Sequence, residues 1–377
     1  MDYQASTPSD PRVIEAMLPY FCEVSANPHS SDHAFGWEAA AAIEHARTRV
    51  ASLIGAFSEE IFFTSGATES NNHVMHAVAL TSGKVNRTTI LVSGLEHSSV
   101  LHAAEAAIRY GLRVLRIPVD DQGVIDQGWL TDNLNEDVLL VSVMAANNEI
   151  GTLQEVGSLV SKAHSVGSLF HCDAAQAFPA IKVDVGLWDV DYLSLSAHKM
   201  YGPKGIGALY VRSDLQQDFS PLLHGGSQQS GIRSGTLPTP LCVGFGVAAE
   251  IMEDDRSAEA AFLEELKGLF ISELDAAGVR FKVNGVVGEG GHPGNLSVLF
   301  QDMDASLLLG KLQPFIAAST GSACSSGLIT HSHVLAAIGL DADAAQRTVR
   351  FSLGRFSDAE QVKDAVAMIS ARLKEEC

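Results

Sequence analysis

Two polar side chains in the middle of the sequence each follow an apolar run, and together they could act on one ligand. Asp173 follows the run 168–172, and Lys199 comes shortly after the run 192–196. A lysine amine can form a Schiff base with an aldehyde. A carboxylate can hold a pyridinium nitrogen protonated, so that the ring draws electrons from a substrate. Pyridoxal 5′-phosphate (PLP) needs both groups, so the pair predicts PLP as the cofactor.

Both residues also have ordinary structural interpretations. Most lysines are solvated surface charges, and Asp173 could instead cap a helix that begins near Ala174. Lys199 lies where an apolar run gives way to a turn rich in glycine and proline, and a desolvated amine at such a place is a suitable nucleophile. The occurrence of both groups in one chain favours the cofactor role.

A phosphate site is indicated in the segment 63–71, which joins an apolar run to a helix through Ser, Gly, Ala and Thr residues. Such a junction presents free backbone N–H groups, here at Ala67 and Thr68, and the positive end of a helix dipole to an anion. The side chains of Thr68, Ser196 and His198 could donate to the same phosphate. Taken alone, the segment would equally be an ordinary helix N-cap.

Three further side chains are candidates for contacts with the cofactor ring. His97 follows a predicted strand, and an imidazole there can stack on a pyridine ring and move protons near neutral pH. The amides of Asn148 and Gln176 could bond the phenolate oxygen of the cofactor. The alternatives are a structural histidine, a turn asparagine and a helix-start glutamine.

Arg350 and Asn27 are candidates for binding a substrate carboxylate. Arg350 is flanked by apolar residues, and a buried arginine needs an anion, which an α-carboxylate would supply through a bidentate pair. A structural ion pair with one of the many acidic residues is the alternative. Asn27 could reach the same carboxylate or could serve a turn. The glycine-rich segment 224–236 has donors for a phosphate, or it is a plain flexible loop.

Cys324 lies in a segment, 319–327, that consists almost entirely of small residues. Such residues pack poorly, so we predict a mobile loop with an exposed thiol, although most cysteines are buried as small apolar residues. A thiolate on such a loop could attack a substrate sulfur and carry it away as a persulfide. Cys22, Cys172 and Cys242 lie among apolar residues and are predicted to be structural.

The composition limits the classes of partner. The chain has 377 residues, 46% hydrophobic residues and a net charge of −20, which argues against general binding to nucleic acid or to anionic membranes. It shows neither a secretory signal nor an apolar run of transmembrane length. The five cysteines form no CxxC pair, so neither a disulfide framework nor a metal site is predicted, and a cytoplasmic location fits best.

Short apolar runs alternate with helical stretches through the first part of the chain. Strands are predicted at 60–64, 89–93, 138–144, 168–172, 192–196 and 208–211, and helices at 70–80, 98–110 and 155–166. This alternation is typical of an α/β fold in which helices cover a mostly parallel sheet. The ligand site of such a fold lies at the carboxyl ends of the strands.

The remaining sequence predicts a second, smaller domain. Residues 241–277 are strongly helical apart from an acidic interruption at 253–255, and we expect this segment to connect two domains. Beyond it, strands interleaved with helices are predicted at 280–284, 294–300, 317–320 and 348–352. This pattern is typical of an α+β domain.

Together these motifs resemble the cysteine desulfurases (NifS/IscS-like) of the class V aminotransferase family. The matching segments run in one order through nearly the whole chain, at 6–8, 27–28, 65–70, 96–97, 147–151, 173–176, 196–199, 233–236, 321–324 and 350–355. The resemblance implies a fold-type I PLP-dependent transferase. It implies a mostly parallel seven-stranded sheet in a large domain, 11–253, and a smaller α+β domain made of 1–10 and 254–377.

The resemblance also implies an activity. Lys199 is then the Schiff-base lysine. Cys324, in a loop at about 319–332, becomes a persulfide as L-cysteine is converted to L-alanine, and the sulfur passes from it to an acceptor protein. A homodimer is implied as well, in which Thr236 reaches the phosphate of the partner's cofactor.

Several alternatives share these motifs. A selenocysteine lyase depends less on the loop cysteine, an ordinary class V aminotransferase needs none, and a sulfur-transfer scaffold could keep PLP for stability alone. The intact set of Lys199, Asp173, His97 and Cys324 disfavours the scaffold. The route of the sulfur stays open between iron–sulfur cluster assembly and tRNA or DNA thiolation. The chain ends at Cys377, whereas the iron–sulfur members usually carry a longer tail.

Overall fold

A computed structural model describes residues 1–320 and 332–375 of the chain. The strands lie at Ile61–Thr64 (β1), Thr89–Ser93 (β2), Arg113–Ile117 (β3), Val138–Ser142 (β4), Leu169–Asp173 (β5), Tyr192–Ser196 (β6), Gly207–Val211 (β7), Phe281–Asn284 (β8), Asn295–Phe300 (β9) and Thr348–Ser352 (β10). The helices lie at Pro11–Met17 (α1), Pro19–Cys22 (α2), Ala34–Leu53 (α3), Ala67–Val85 (α4), Ser98–Ala107 (α5), Gln127–Asn133 (α6), Val156–Ser165 (α7), Val185–Trp188 (α8), Thr239–Ala276 (α9), Ala305–Leu312 (α10), His333–Ala337 (α11), Ala342–Gln346 (α12) and Ala359–Lys374 (α13). None of the helices in these two ranges combines the length and apolar character needed to cross a bilayer.

Within the described residues, seven strands form one sheet in the order β1-β7-β6-β5-β4-β2-β3. β7 runs antiparallel to β1 and β6, and the other neighbours are parallel. The predicted α/β fold with a mostly parallel seven-stranded sheet is confirmed. β1, β2, β4, β5 and β6 run in the same direction, so their carboxyl ends meet at one edge of the sheet. The loops that leave this edge carry the candidate site.

Apolar side chains of the sheet alternate between two cores, one on each face. In β1, Ile61 and Phe63 pack into one core while Phe62 packs into the other. In β2, Leu91 belongs to the first core, and Ile90 and Val92 belong to the second. Helices therefore cover the sheet on both sides, which explains why its strands read as continuous apolar runs.

The second sheet is antiparallel, with the order β10-β9-β8. The carboxyl-terminal half of α9 packs Leu263 and Phe270 into the same core as Val298 of β9. The predicted interruption at 253–255 is wrong, because α9 continues through it with Glu253 and Asp254 exposed to solvent. The proposed division between the two domains therefore falls inside one continuous helix.

Two strand assignments differ from the sequence prediction. β3 was not predicted, because this edge strand carries two arginines and exposes much of its surface, so it has no apolar run to reveal it. Residues 317–320 were predicted as a strand, but Ser319 forms only an isolated bridge with Arg350. Hydrogen bonds in both directions between these two residues still tie this segment to β10.

Candidate active site

One cavity of about 630 Å³ lies at the carboxyl edge of the large sheet. It is lined by most of the predicted site residues, namely Ala67, Thr68, His97, Asn148, Asp173, Gln176, Ser196, His198, Lys199 and Arg350. Among the described residues, Asn27 and Thr236 stand apart from it, since both are exposed and neither lines the cavity. Cys324 lies outside the described residues.

Lys199 ends the 3-10 turn Ala197–Lys199, which follows β6 directly. Its half-buried ammonium donates to the backbone oxygens of Gln4 (2.5 Å) and Ala5 (3.0 Å). The amino-terminal segment therefore lies across the cavity and holds the amine there. Sequence reasoning did not identify Gln4 as a site residue, because its contact with Lys199 joins positions 195 residues apart.

Asp173 is the last residue of β5 and is 4% exposed. Its Oδ2 accepts from the side-chain amide of Asn71 at 2.7 Å, and its Oδ1 accepts from the backbone N–H of Ala175 at 3.0 Å. The alternative role as a helix cap is not realised, because residues 174–181 contain no helix. The two donors instead fix the carboxylate in the wall of the cavity.

The amino terminus of α4 faces the cavity without a side-chain cap. Gly66 precedes the helix at φ 152°, a backbone conformation that favours glycine. Ser196 and His198 line the same cavity. Burial, reinforced by the charges of Lys199 and Lys204, lowers the pKa of His198 to about 4, so this imidazole is neutral at pH 7. This end of the cavity therefore offers several donors to an anion.

His97 precedes α5 and accepts at Nδ1 from the backbone N–H of Ser99 at 3.2 Å. The Ser99 hydroxyl lies 2.8 Å from the same nitrogen. Burial lowers the pKa of His97 and the charge of Lys199 lowers it further, while the charge of Asp173 opposes the shift. The site therefore favours an uncharged imidazole beside the cavity.

Arg350 lies in the middle of β10 and is 4% exposed. It donates to the backbone oxygen of Asn148 at 2.8 Å and to the carboxylate of Asp2 at 3.0 Å. Its Nε is buried and has no hydrogen-bond partner among the described residues. The arginine therefore has a structural ion pair, and its guanidinium, which lines the cavity, has more N–H donors than these two bonds use. Gln176 donates its amide to the backbone oxygen of Gln4 at 2.9 Å.

Glu96, next to His97, is fully buried and was not predicted as a separate site residue. Its Oε1 accepts from the backbone N–H of Met144 at 2.6 Å, and its Oε2 has no partner among the described residues. Burial, with a smaller contribution from the charge of Asp173, raises the pKa of Glu96 well above its ordinary value of 4.5. The site therefore favours the protonated, neutral form of this side chain.

This shift predicts how Glu96→Gln changes stability with pH. The folded protein keeps the proton of Glu96 while the unfolded chain loses it above about pH 4.5, so the free energy of unfolding falls as pH rises through that range. Glutamine mimics the neutral acid and has no proton to lose. Urea unfolding of the holoenzymes should therefore show the variant gaining stability relative to wild type between pH 5 and pH 8. If the free energy of unfolding differs between variant and wild type by the same amount at pH 5 and at pH 8, Glu96 does not keep its proton in the folded protein.

The described cysteines differ in their surroundings. Cys172 and Cys242 are buried, as predicted, whereas Cys22 is exposed, so its predicted structural role is wrong. Burial raises the pKa of Cys172 well above its ordinary value and raises that of Cys242 to about 12. Neither buried thiol can supply a thiolate near neutral pH.

The residues around the cavity fit PLP. The open amino terminus of α4, with Ala67 and Thr68 at the cavity wall, suits a phosphate. The nearly buried carboxylate of Asp173 suits a pyridinium nitrogen, and the amine of Lys199 suits an aldehyde. One cavity thus contains an anion site, a carboxylate and an amine in a single connected space.

Comparison with known proteins agrees with this chemistry. The family model for class-V aminotransferases matches residues 1–364. The cysteine desulfurase IscS of Rickettsia typhi is 42% identical over 374 residues, which cover 99% of this chain and 90% of the relative.

Solved structures give the same result. A NifS-like protein superposes with a TM-score of 0.92 at 36% identity, covering 99% of this chain and 98% of the other. The structure of SspA in complex with cysteine superposes with a TM-score of 0.82 at 34% identity, covering 95% of this chain and 99% of the other. The chain therefore belongs to the class-V aminotransferases, which depend on PLP, and among them to the cysteine desulfurases.

Proposed function

We propose that this protein converts L-cysteine to L-alanine and transfers the sulfur to Cys324 as a persulfide, from which an acceptor protein takes it. The observation that supports this most is the cavity that places Lys199, Asp173 and Arg350 beside the open amino terminus of α4. Family membership supplies the substrate class, and the small-residue segment around Cys324 supplies the candidate sulfur carrier.

In this proposal, different residues of the cavity wall would bind the phosphate, the ring nitrogen and the other ring substituents of the cofactor. Backbone N–H groups of Ala67 and Thr68, with Ser196 and His198, bind the phosphate. Asp173 bonds the ring nitrogen. Further contacts come from the side chains that line the cavity beside the ring, namely His97, Asn148 and Gln176. When bound, PLP supplies an electron sink that makes the α-hydrogen of an amino acid removable.

Lys199 then has two tasks at one atom, its Nζ. It would hold the aldehyde of the cofactor in the resting enzyme, and as a free amine it would take the α-proton of the substrate. The backbone oxygens of Gln4 and Ala5 hold this nitrogen in the cavity, so little conformational freedom is lost when the amine reacts.

Arg350 orients the substrate through its carboxylate. Its Nη1 and Nη2 each bond one partner, Asn148 and Asp2, so each of these nitrogens still has a second N–H that a substrate carboxylate could accept. A substrate carboxylate can also compete with Asp2, whose side chain is 25% exposed. We keep Asn27, which the structure places on the exposed surface, as a further candidate for the same carboxylate.

The sulfur step is a transfer between two sulfur atoms. The Sγ of Cys324 bonds to the substrate sulfur as the bond from that sulfur to Cβ breaks, and the electron pair of the broken bond stays on the carbon skeleton, which takes up a proton. His97 is the candidate proton donor. The net change inserts one sulfur into the S–H bond of Cys324, so cysteine becomes alanine with no external oxidant.

Alanine release from L-cysteine by wild type and Cys324→Ala, with a thiol reductant present, tests this function. We expect turnover to fall by about 100-fold in the variant, because a thiol in free solution must replace a tethered one. Cys22→Ala is the matched control, since it removes an exposed thiol that we place outside the reaction. Equal rates for wild type and Cys324→Ala would contradict the role of Cys324.

The same assay separates the alternatives. If neither wild type nor Cys324→Ala releases alanine from L-cysteine while both release it from L-selenocysteine, the protein is a selenocysteine lyase. If neither substrate yields alanine and the amino group passes to a keto acid, it is an ordinary class V aminotransferase.

A homodimer in the cytoplasm completes the proposal. Large apolar side chains of α2 and α3 are exposed in the single chain, with Phe21 at 56% and both Phe35 and Trp37 at about 60%. Such exposure is uncommon in monomers and favours cover by a second copy. Thr236 is exposed and apart from the cavity of its own chain, which is compatible with a contact to the partner's cofactor.

A further inference from the structure

A chain of three hydrogen bonds, two of them buried, connects the carboxylate of Asp173 to the ring of His97. The amide nitrogen of Asn71, on α4, lies 2.7 Å from Oδ2 of Asp173 and 2.9 Å from the hydroxyl of Ser99, on α5. The Ser99 hydroxyl in turn lies 2.8 Å from Nδ1 of His97. Asn71 is completely buried, so no solvent competes for its two hydrogen bonds.

The direction of each hydrogen bond follows from the chemistry of the groups. The carboxylate of Asp173 can only accept, so the NH2 group of Asn71 must face it, and its second hydrogen goes to Ser99. The Ser99 oxygen is then already an acceptor, and its own hydrogen is directed to Nδ1 of His97. The backbone N–H of Ser99 donates to the same nitrogen at 3.2 Å.

We infer that Asn71 and Ser99 act as positioning residues that hold His97 as the neutral tautomer with its proton on Nε2. With two donors directed at Nδ1, that nitrogen has no room for a proton of its own. His97 can therefore give a proton from Nε2, but it has no free lone pair with which to act as a base. This inference rests on the proposed function and specifies the part that His97 takes in it.

Two further observations agree with this assignment. The side-chain oxygen of Asn71, Oδ1, is buried without a partner among the described residues, so this amide leaves its acceptor unpaired while both hydrogens of its NH2 group are used. The titratable groups around His97 are Asp173, Lys199, His102 and His333, and the balance of their charges and of burial lowers the pKa of His97. Protonation at Nδ1 would also break the hydrogen bond from the backbone N–H of Ser99 and reverse the bond with its hydroxyl.

The test is a long-range 1H–15N spectrum of the holoenzyme labelled with 15N-histidine, in which the ring of His97 is assigned from its absence in His97→Gln. Wild type should show His97 protonated at Nε2 only, at pH 7.5. A ring protonated at Nδ1, or at both nitrogens, would overturn the inference. This result does not depend on turnover, so it stands or fails separately from the proposed desulfurase activity.

Variants test the connection from Asn71. Asn71→Leu keeps the approximate shape of the side chain but removes both donors. The His97 signals should then show a mixture of tautomers. The value of kcat should fall about tenfold with little change in KM. Ser99→Ala should do the same, and Ser99→Thr, which keeps the hydroxyl, should restore the wild-type spectrum. Asn72→Leu, one position along α4 and outside the hydrogen-bond chain, is the control. An unchanged His97 spectrum in folded Asn71→Leu would show that Asn71 does not set the tautomer.

Discussion

Lys199→Ala is expected to reduce alanine release from L-cysteine by at least about 10⁴-fold, the upper range for a positioned acid–base group. The variant loses both the covalent link to the cofactor and the amine that takes the α-proton. Free ammonia or methylamine at high concentration should restore a small part of the rate. Steady-state alanine release measures the loss, and borohydride reduction of wild-type holoenzyme followed by peptide mass analysis should find the cofactor on Lys199.

Lys204→Ala is the matched control, because Lys204 also lines the cavity but is exposed. It should retain most of the activity and should keep the cofactor on Lys199. Activity of Lys199→Ala near that of wild type, or cofactor attached to Lys204, would contradict the assignment of the two lysines.

The sequence was sufficient to predict the residues that follow the strands. Asp173 comes directly after an apolar run and Lys199 comes shortly after another, and parallel strands bring the residues at their carboxyl ends to one edge of the sheet. The register of β5 with β6 pairs Asp173 with Ser194, so the turn that carries Lys199 begins beside it. A local pattern was therefore enough to predict this pair, because the fold class determines where strand ends meet.

The supporting contacts could not be predicted in the same way. Asn71 reaches Asp173 across 102 positions, and Gln4 reaches Lys199 across 195. The sequence indicates a phosphate site in the segment 63–71, but nothing in it shows that Asn71 bonds Asp173, and nothing in the amino-terminal segment shows that Gln4 bonds Lys199. Such contacts depend on how α4 and the amino-terminal segment pack against the sheet, which only the three-dimensional structure provides.

Asp173→Asn is expected to lower kcat by about 10²–10³-fold, the usual effect of removing one preorganised charge from an active site. Asparagine has nearly the same shape, so the loss reports the charge that holds the ring nitrogen protonated. It also has one oxygen for the two donors, Asn71 and Ala175, that now bond the carboxylate. Steady-state kinetics and the visible spectrum of the bound cofactor as a function of pH measure the change.

The same substitution has a second effect that does not depend on turnover. The charge of Asp173 raises the pKa of both His97 and Glu96, so its removal should lower both. The His97 titration, followed by NMR, should move to lower pH in Asp173→Asn and stay close to wild type in Asp173→Glu, which keeps the charge. A loss of kcat without this shift would mean that residue 173 acts through its shape alone. A shift in the His97 pKa without a loss of kcat would mean that the carboxylate does not act on the ring nitrogen. If kcat and the His97 pKa both fall, the charge of Asp173 acts on the cofactor and on His97 alike.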